Sequence, residues 1–132
     1  MNPVVLTIKD TTNTGKVFNE IDVSFNTSHV TVKEIIEARV TAEVEKYNEK
    51  RPGYFNGLIQ PSQAEKTLNG YKMKDRKKVD AEKQVYIALD AFLKNGFFIL
   101  IDTYQAESLE QEIEISPTTQ INFLKLTPLI GG

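Results

Sequence analysis

The strongest constraint on the fold is the period-two alternation near the start of the chain, followed at once by a long helical pattern. Val4, Leu6 and Ile8 share one face of an extended segment, and Val17, Ile21, Val23 and Phe25 share one face of the next. Side chains of a strand alternate between faces, so each segment predicts a strand with one apolar side. Asp10-Thr11-Thr12-Asn13-Thr14-Gly15-Lys16 lies between them. It is rich in turn formers, with a glycine near its end, and predicts an antiparallel hairpin. A capping box comes next: the Thr31 hydroxyl can accept from the amide three residues on, Glu34 can reach back, and Val30 can staple onto Ile35. Val32, Ile36, Val40, Val44 and Tyr47 then recur at three- and four-residue steps until Arg51-Pro52-Gly53 stops the run. A helix over 31–50 should therefore lie on the hairpin's apolar face.

The middle of the chain reads as a helical insertion over about 53–96. Residues 53–61 read as a loop. Ser62-Gln63-Ala64-Glu65 repeats the capping-box pattern and Asn69-Gly70 offers a stop, which predicts a short helix near 62–69. Lys72, Lys74, Arg76, Lys77 and Lys78 form a basic run broken by Asp75. Without interleaved aromatic residues it reads as a solvated loop and not as a nucleic-acid patch. Asp80 can cap a helix over 80–94 whose apolar face is Val85, Ala88, Leu89 and Phe92, with Asn95-Gly96 as its stop.

Phe97 to Ile101 is continuously apolar, the pattern of a strand covered on both faces. Val85, Leu89 and Phe92 are expected to shield part of it. Residues 103–113 read as a polar connection with a helical turn around Leu109 to Ile113, and Pro117-Thr118-Thr119 leads to a last strand over 120–126. The first and last strands stand at opposite ends of the chain and both carry apolar residues. The expected fold is α+β: a mixed sheet of four or five strands, the long helix across one face, and the last strand interior and parallel to the first.

Composition narrows the function. A length of 132 residues suits one domain over 1–132. No apolar run approaches the roughly 18 residues of a membrane span, and Met1-Asn2-Pro3-Val4-Val5-Leu6 has no signal-peptide pattern. A cytoplasmic location is expected, with no membrane partner. There is no cysteine, which removes disulfides, thiolate metal sites and cysteine nucleophiles, and the net charge of -2 argues against a nucleic-acid partner. The single histidine, His29, reads as exposed, with no second ligand at metal spacing. The carboxylate groups Glu43/Glu45 and Glu110/Glu112/Glu114 read as surface charges. No catalytic residue, metal or bound cofactor is expected, so the chain reads as something other than a self-sufficient enzyme.

The remaining signal is the tail, Thr127-Pro128-Leu129-Ile130-Gly131-Gly132, which follows the last strand almost directly. At a glycine usage of about 7%, two glycines fill a given pair of positions by chance about 0.5% of the time, so the pair invites a physical reason. Pro128 biases Thr127 to extended geometry and cannot donate to a ladder, so pairing should lapse there. The tail is expected to be flexible over 127–132. Glycines lack a Cβ, and two in succession can thread a narrow passage and present a carboxylate for attack on a nucleotide phosphate.

The order of hairpin, capped helix, late strands and Gly-Gly resembles the ubiquitin and sulfur-carrier superfamily with its β-grasp fold. The residues that carry the likeness are Thr14-Gly15-Lys16, Thr31-Val32, Gln105-Ala106-Glu107, Leu109, Ile113 and Gly131-Gly132. Leu126 to Gly132 is similar to the tail of the small subunit of molybdopterin synthase, which carries proline before an apolar residue and Gly-Gly. The resemblance spans roughly 3–50 and 97–132, and the insertion has no counterpart in either family. It implies a protein modifier adenylated at the Gly132 carboxylate and conjugated to target amines, with Gly131, Ile130, Leu129 and Pro128 read by the partner enzymes. Those partners would be an activating enzyme that uses ATP, a conjugating enzyme and a JAB-type metalloprotease, as in prokaryotic ubiquitin-like modifiers. Leu129 and Ile130 stand where ubiquitin's tail carries arginines, which argues against the eukaryotic enzymes of that pathway. A sulfur carrier with a thiocarboxylate at Gly132, and a β-grasp interaction module, are the alternatives.

Overall fold

The alternation at the start of the chain is realised as β1 (Val4–Thr11) and β2 (Val17–Phe25), an antiparallel pair with a register shift after Asp10. The structure, a computed structural model, describes residues 3–50, 54–55, 57–61, 64–67, 70–73 and 78–125. The hairpin turn closes through the Thr12 amide on the Lys16 carbonyl and the Gly15 amide on the Thr12 carbonyl, both at 2.9 Å. Gly15 has φ +88°, where a side chain would be strained.

β3 (His29–Thr31) leads into α1 (Val32–Lys50). The capping box forms as expected: the Thr31 amide donates to Glu34 Oε1 at 2.9 Å and the Glu34 amide to Thr31 Oγ1 at 3.1 Å. All five residues of the apolar stripe are buried. The Arg51-Pro52-Gly53 stop lies outside the described residues.

The main sheet has order β2-β1-β10-β7-β8, where β7 is Phe98–Ile101, β8 is Tyr104–Gln105 and β10 is Ile121–Leu124. β10 runs parallel to β1 with Ile8 opposite Ile121, and antiparallel to β7 with Phe123 opposite Ile99. The last strand is thus interior and parallel to the first, in an α+β arrangement with a mixed five-stranded sheet. Leu6, Ile8, Val23, Phe25, Ile99, Ile101, Ile121 and Phe123 project from one face into a core shared with α1. The strand at 98–101 is less enclosed than its sequence suggests. Ile99 and Ile101 are fully buried, while Phe98 and Leu100, on the opposite face, are half-buried. Both helices contribute to one side only.

The connection after β8 differs from expectation. In place of a helical turn at 109–113 there is a turn at Leu109-Glu110 and then β9 (Glu112–Glu114), antiparallel to β3. The reason is the start of α1. Its first amides need acceptors, and the Val32 and Lys33 amides donate to the Gln111 and Leu109 carbonyls at 3.0 and 2.9 Å. Those carbonyls could not serve α1 while closing a helical turn of their own.

The insertion is mostly sheet and not mostly helix. β4 (Tyr54–Phe55) stands within the segment read as a loop, and β5 (Ala64–Thr67) replaces the helix expected near 62–69. With β6 (Gly70–Met73) they form a second sheet, order β4-β6-β5. Asn-Gly is a hairpin signal as well as a helix stop, and Gly70 pairs with Thr67 across the β5–β6 connection. A helix of that length is marginal alone, whereas the sheet buries Phe55, Ala64 and Tyr71. Ser62, Gln63, Asn69 and most of the basic run, 74–77, lie outside the described residues; Lys72, read as loop, is in β6.

α2 (Ala81–Leu93) forms as expected, capped by Asp80, whose side chain accepts from the Lys83 amide. Its stop is also as expected: Asn95 takes φ 60° and the Gly96 amide donates to the Ala91 carbonyl at 2.8 Å. α2 packs beside α1, and its Phe92 ring lies 5.9 Å from Phe97, which stacks at 5.4 Å on Phe123. Ala88 and Phe92 are buried, while Val85 and Leu89 are partly so. Among the described residues, no helix is long and apolar enough to cross a membrane.

Candidate functional site

β10 delivers the chain toward the tail. The Lys125 amide donates to the Thr11 carbonyl at 3.3 Å, continuing the parallel pairing one residue past the strand. The Lys125 ammonium lies 5.6 Å from the Phe18 ring centroid on the neighbouring hairpin. Pro128, Leu129, Ile130, Gly131 and Gly132 lie outside the described residues, so the site inferred from the sequence is placed only by the strand that leads to it.

Directly under that strand end is a buried ionic group that the sequence reading missed. Arg39 of α1 is completely enclosed, yet it reaches Asp10 near the end of β1 and Glu43 one helical turn on. The guanidinium grips Asp10 through both terminal nitrogens, Nη2 donating to Oδ2 at 2.7 Å and Nη1 to Oδ1, while Nε donates to Glu43 Oε1. Asn19 Nδ2 donates to the free side of Asp10 at 3.1 Å, and the Leu58 amide donates to Glu43 Oε2 at 2.8 Å. Arg39 also lies 4.5 Å over the Phe123 ring, at the end of the Phe92-Phe97-Phe123 series.

One cation serves two carboxylates, and their surroundings push them apart. For Asp10, burial favours the neutral acid, but the charge and hydrogen bonds of Arg39, with help from Lys125 and Asn19, outweigh it and hold the carboxyl below its ordinary value. For Glu43, burial prevails over Arg39 and the Leu58 amide, and the nearby Asp10 charge adds to it, so its pKa is raised. Burial works against the Arg39 cation, yet the charges of Glu43 and Asp10 hold its pKa above the ordinary value. Tyr71 of β6 is likewise raised, by burial and then by the Glu43 and Asp10 charges.

Glu43 is therefore not the surface charge its spacing from Glu45 implied; Glu45 itself is exposed. A signal existed. Ile35, Arg39, Glu43 and Tyr47 form an i,i+4 row adjoining the apolar stripe, and an Arg/Glu pair on such a row is set to be enclosed together. Asp10 gave no signal, because its partner comes from 29 residues away in sequence. With so little exposure, the three side chains can anchor strand, helix and insertion loop to one another but cannot contact a substrate. Glu110, Glu112 and Glu114 are exposed along the β9 segment, as expected of surface charges, and His29 is exposed in β3. Among the described residues, no group of three or more His, Cys, Asp or Glu is placed to hold a metal ion.

No protein-family model, curated protein or solved structure matches this chain.

Proposed function

We propose that the chain is a ubiquitin-like protein modifier of β-grasp type, activated by adenylation at the Gly132 carboxylate and then joined to amines of target proteins. The observation that carries this reading is the position of β10: interior, parallel to β1, and leading through Lys125 toward Gly131-Gly132. A central strand is a rigid mount for a flexible tail, since both neighbours hold its register. In this reading the chain is a substrate of its activating enzyme. That enzyme supplies the ATP chemistry in the cytoplasm, and a conjugating enzyme and JAB-type metalloprotease complete the cycle. Pro128, Leu129, Ile130 and Gly131 are what the partners read. The carboxylate is that of Gly132 whether translation or cleavage exposes it.

The apolar, proline-containing stretch before the glycines favours a second reading, a sulfur carrier whose Gly132 carboxylate becomes a thiocarboxylate. Mass spectrometry of protein recovered from its native host separates the two. The nearest trypsin site is Lys125, so conjugation should leave the segment 126–132 on target lysines, whereas the carrier should show sulfur in place of one terminal oxygen. Deleting Gly131 and Gly132 should abolish either product. If the intact protein yields neither, and the truncated form still supports the phenotype of the intact gene, the tail is incidental and the interaction-module reading takes its place.

A further inference from the structure

β2 is the outermost strand of the main sheet, so alternate backbone amides and carbonyls along it face away from β1. On that side a furrow runs between β2 and α1 as three adjoining pockets of about 460, 360 and 310 Å³. The first two share Asp22 and Ala42, and the second and third share Glu20, Ile21 and Lys46, so the furrow is continuous along the strand. Its two ends differ in chemistry. One is lined by Asp22, Glu37 and Glu45 with no lysine or arginine among its lining residues. At the other, Tyr47, Tyr54 and Phe55 make an aromatic wall, and Lys46 and Lys50 are matched there by Glu20 and Glu49. Tyr54 remains 53% exposed. The wall depends on β4, so this end of the furrow is built by the insertion.

We propose that the furrow binds an extended peptide of a partner protein, which adds a strand to β2. The peptide places a lysine or arginine over Asp22, Glu37 and Glu45 and an apolar side chain against Ile21 and Tyr54. An open channel that follows a free strand edge suits an extended chain, whose backbone supplies affinity and whose alternate side chains supply specificity. Charge selects the occupant. A second copy pairing through β2 would align Glu20 and Asp22 with their own kind, which is unfavourable across a ladder, whereas a cationic residue relieves the uncompensated acidic end. From Asn19 to Val23 the strand spans about 13 Å, enough to register a pentapeptide. The inference does not depend on Gly132.

The test uses the full chain, ¹⁵N-labelled, titrated with acetyl-Lys-Thr-Val-Thr-Phe-amide and with the reversed sequence, since either strand direction places the lysine, valine and phenylalanine on one face. At least one peptide should give saturable shifts confined to β2, the facing side of α1 and β4, with slowed hydrogen exchange at alternate β2 amides. Replacing the central valine by proline, which removes a ladder donor, should abolish binding. Glu45→Lys, at an exposed position, should weaken binding by roughly fivefold without moving the denaturation midpoint. The proposal is overturned if neither peptide gives saturable shifts, if glutamate in place of the lysine binds as well, or if β2 shifts arise from protein concentration alone, which would indicate self-pairing.

Discussion

Arg39 is the residue on which the interior depends most, because removing it leaves Asp10 and Glu43 facing each other in a site closed to water. Arg39→Met keeps much of the volume but none of the charge. It should destabilise the protein by about 3–5 kcal/mol, the usual cost of breaking a buried pair from one side, measured by urea denaturation at neutral pH. The two carboxylates should also leave opposite marks on stability as pH changes. Glu43 has a raised pKa when folded, so the folded chain takes up this proton before the unfolded chain, whose carboxyl titrates near 4.5. Stability from this group therefore grows as pH falls through the folded value and is fully present below 4.5. Asp10 is lowered, so its contribution is present above 3.8 and is lost as pH falls from there through the folded value. Glu43→Gln isolates the first effect: the stability of the wild type minus that of the variant should rise from about pH 7 toward pH 4.5 and then level off. A flat difference across that range would show that Glu43 titrates in the folded state as it does in water.

Elements whose pattern is internal were legible, and those whose partners come from elsewhere were not. The hairpin, α1 with its capping box, α2 with Asp80 and Asn95, and the interior β10 all follow from periodicity and end signals contained in a few consecutive residues. β9 and the β4–β6 sheet escaped because short strands of two to four residues carry too few alternations to declare themselves. What decides them is a remote demand: the α1 amides that need the 109–111 carbonyls, or the Glu43 carboxylate that needs the Leu58 amide. Gly57 is where the second demand is visible in one residue. A Cβ there would overlap the Phe55 ring and stand 2.7 Å from Glu43 Oε2, so only glycine lets the loop approach the buried carboxylate. Gly57→Ala should cost about 1–3 kcal/mol, as overpacking does, and should shift the indirect signature too. If its denaturation midpoint equals that of the wild type, the loop is free to move away and Glu43 does not hold it.

At the scale of the molecule, two sheets of different origin share one helix. The main sheet closes on the apolar stripe of α1, while the insertion is fastened to the same helix through polar contacts: the Leu58 amide on Glu43, and a two-way clasp between Asn48 and Val79. In that clasp Asn48 Nδ2 donates to the Val79 carbonyl at 3.0 Å and the Val79 amide donates to Asn48 Oδ1 at 2.9 Å. Apolar burial reinforces it through Phe55, Leu58, Tyr71 and the edge-to-face contact of Tyr47 with Phe55 at 5.5 Å. β4 and β6 pair with each other over only two residues, whereas β1 is held on both sides along its length. The insertion should therefore open locally while the main sheet stays closed. Native-state hydrogen exchange should report a lower opening free energy for the β4 and β6 amides than for those of β1 and β10. Asn48→Ala tests whether the clasp belongs to that opening. If it does, both the local and the global opening break it, and both free energies should fall by the same amount, about 1–2 kcal/mol for a pair of hydrogen bonds to part-buried backbone. A fall confined to the global value would mean that the insertion opens with the clasp intact, and that its hinge lies on the insertion side of Val79.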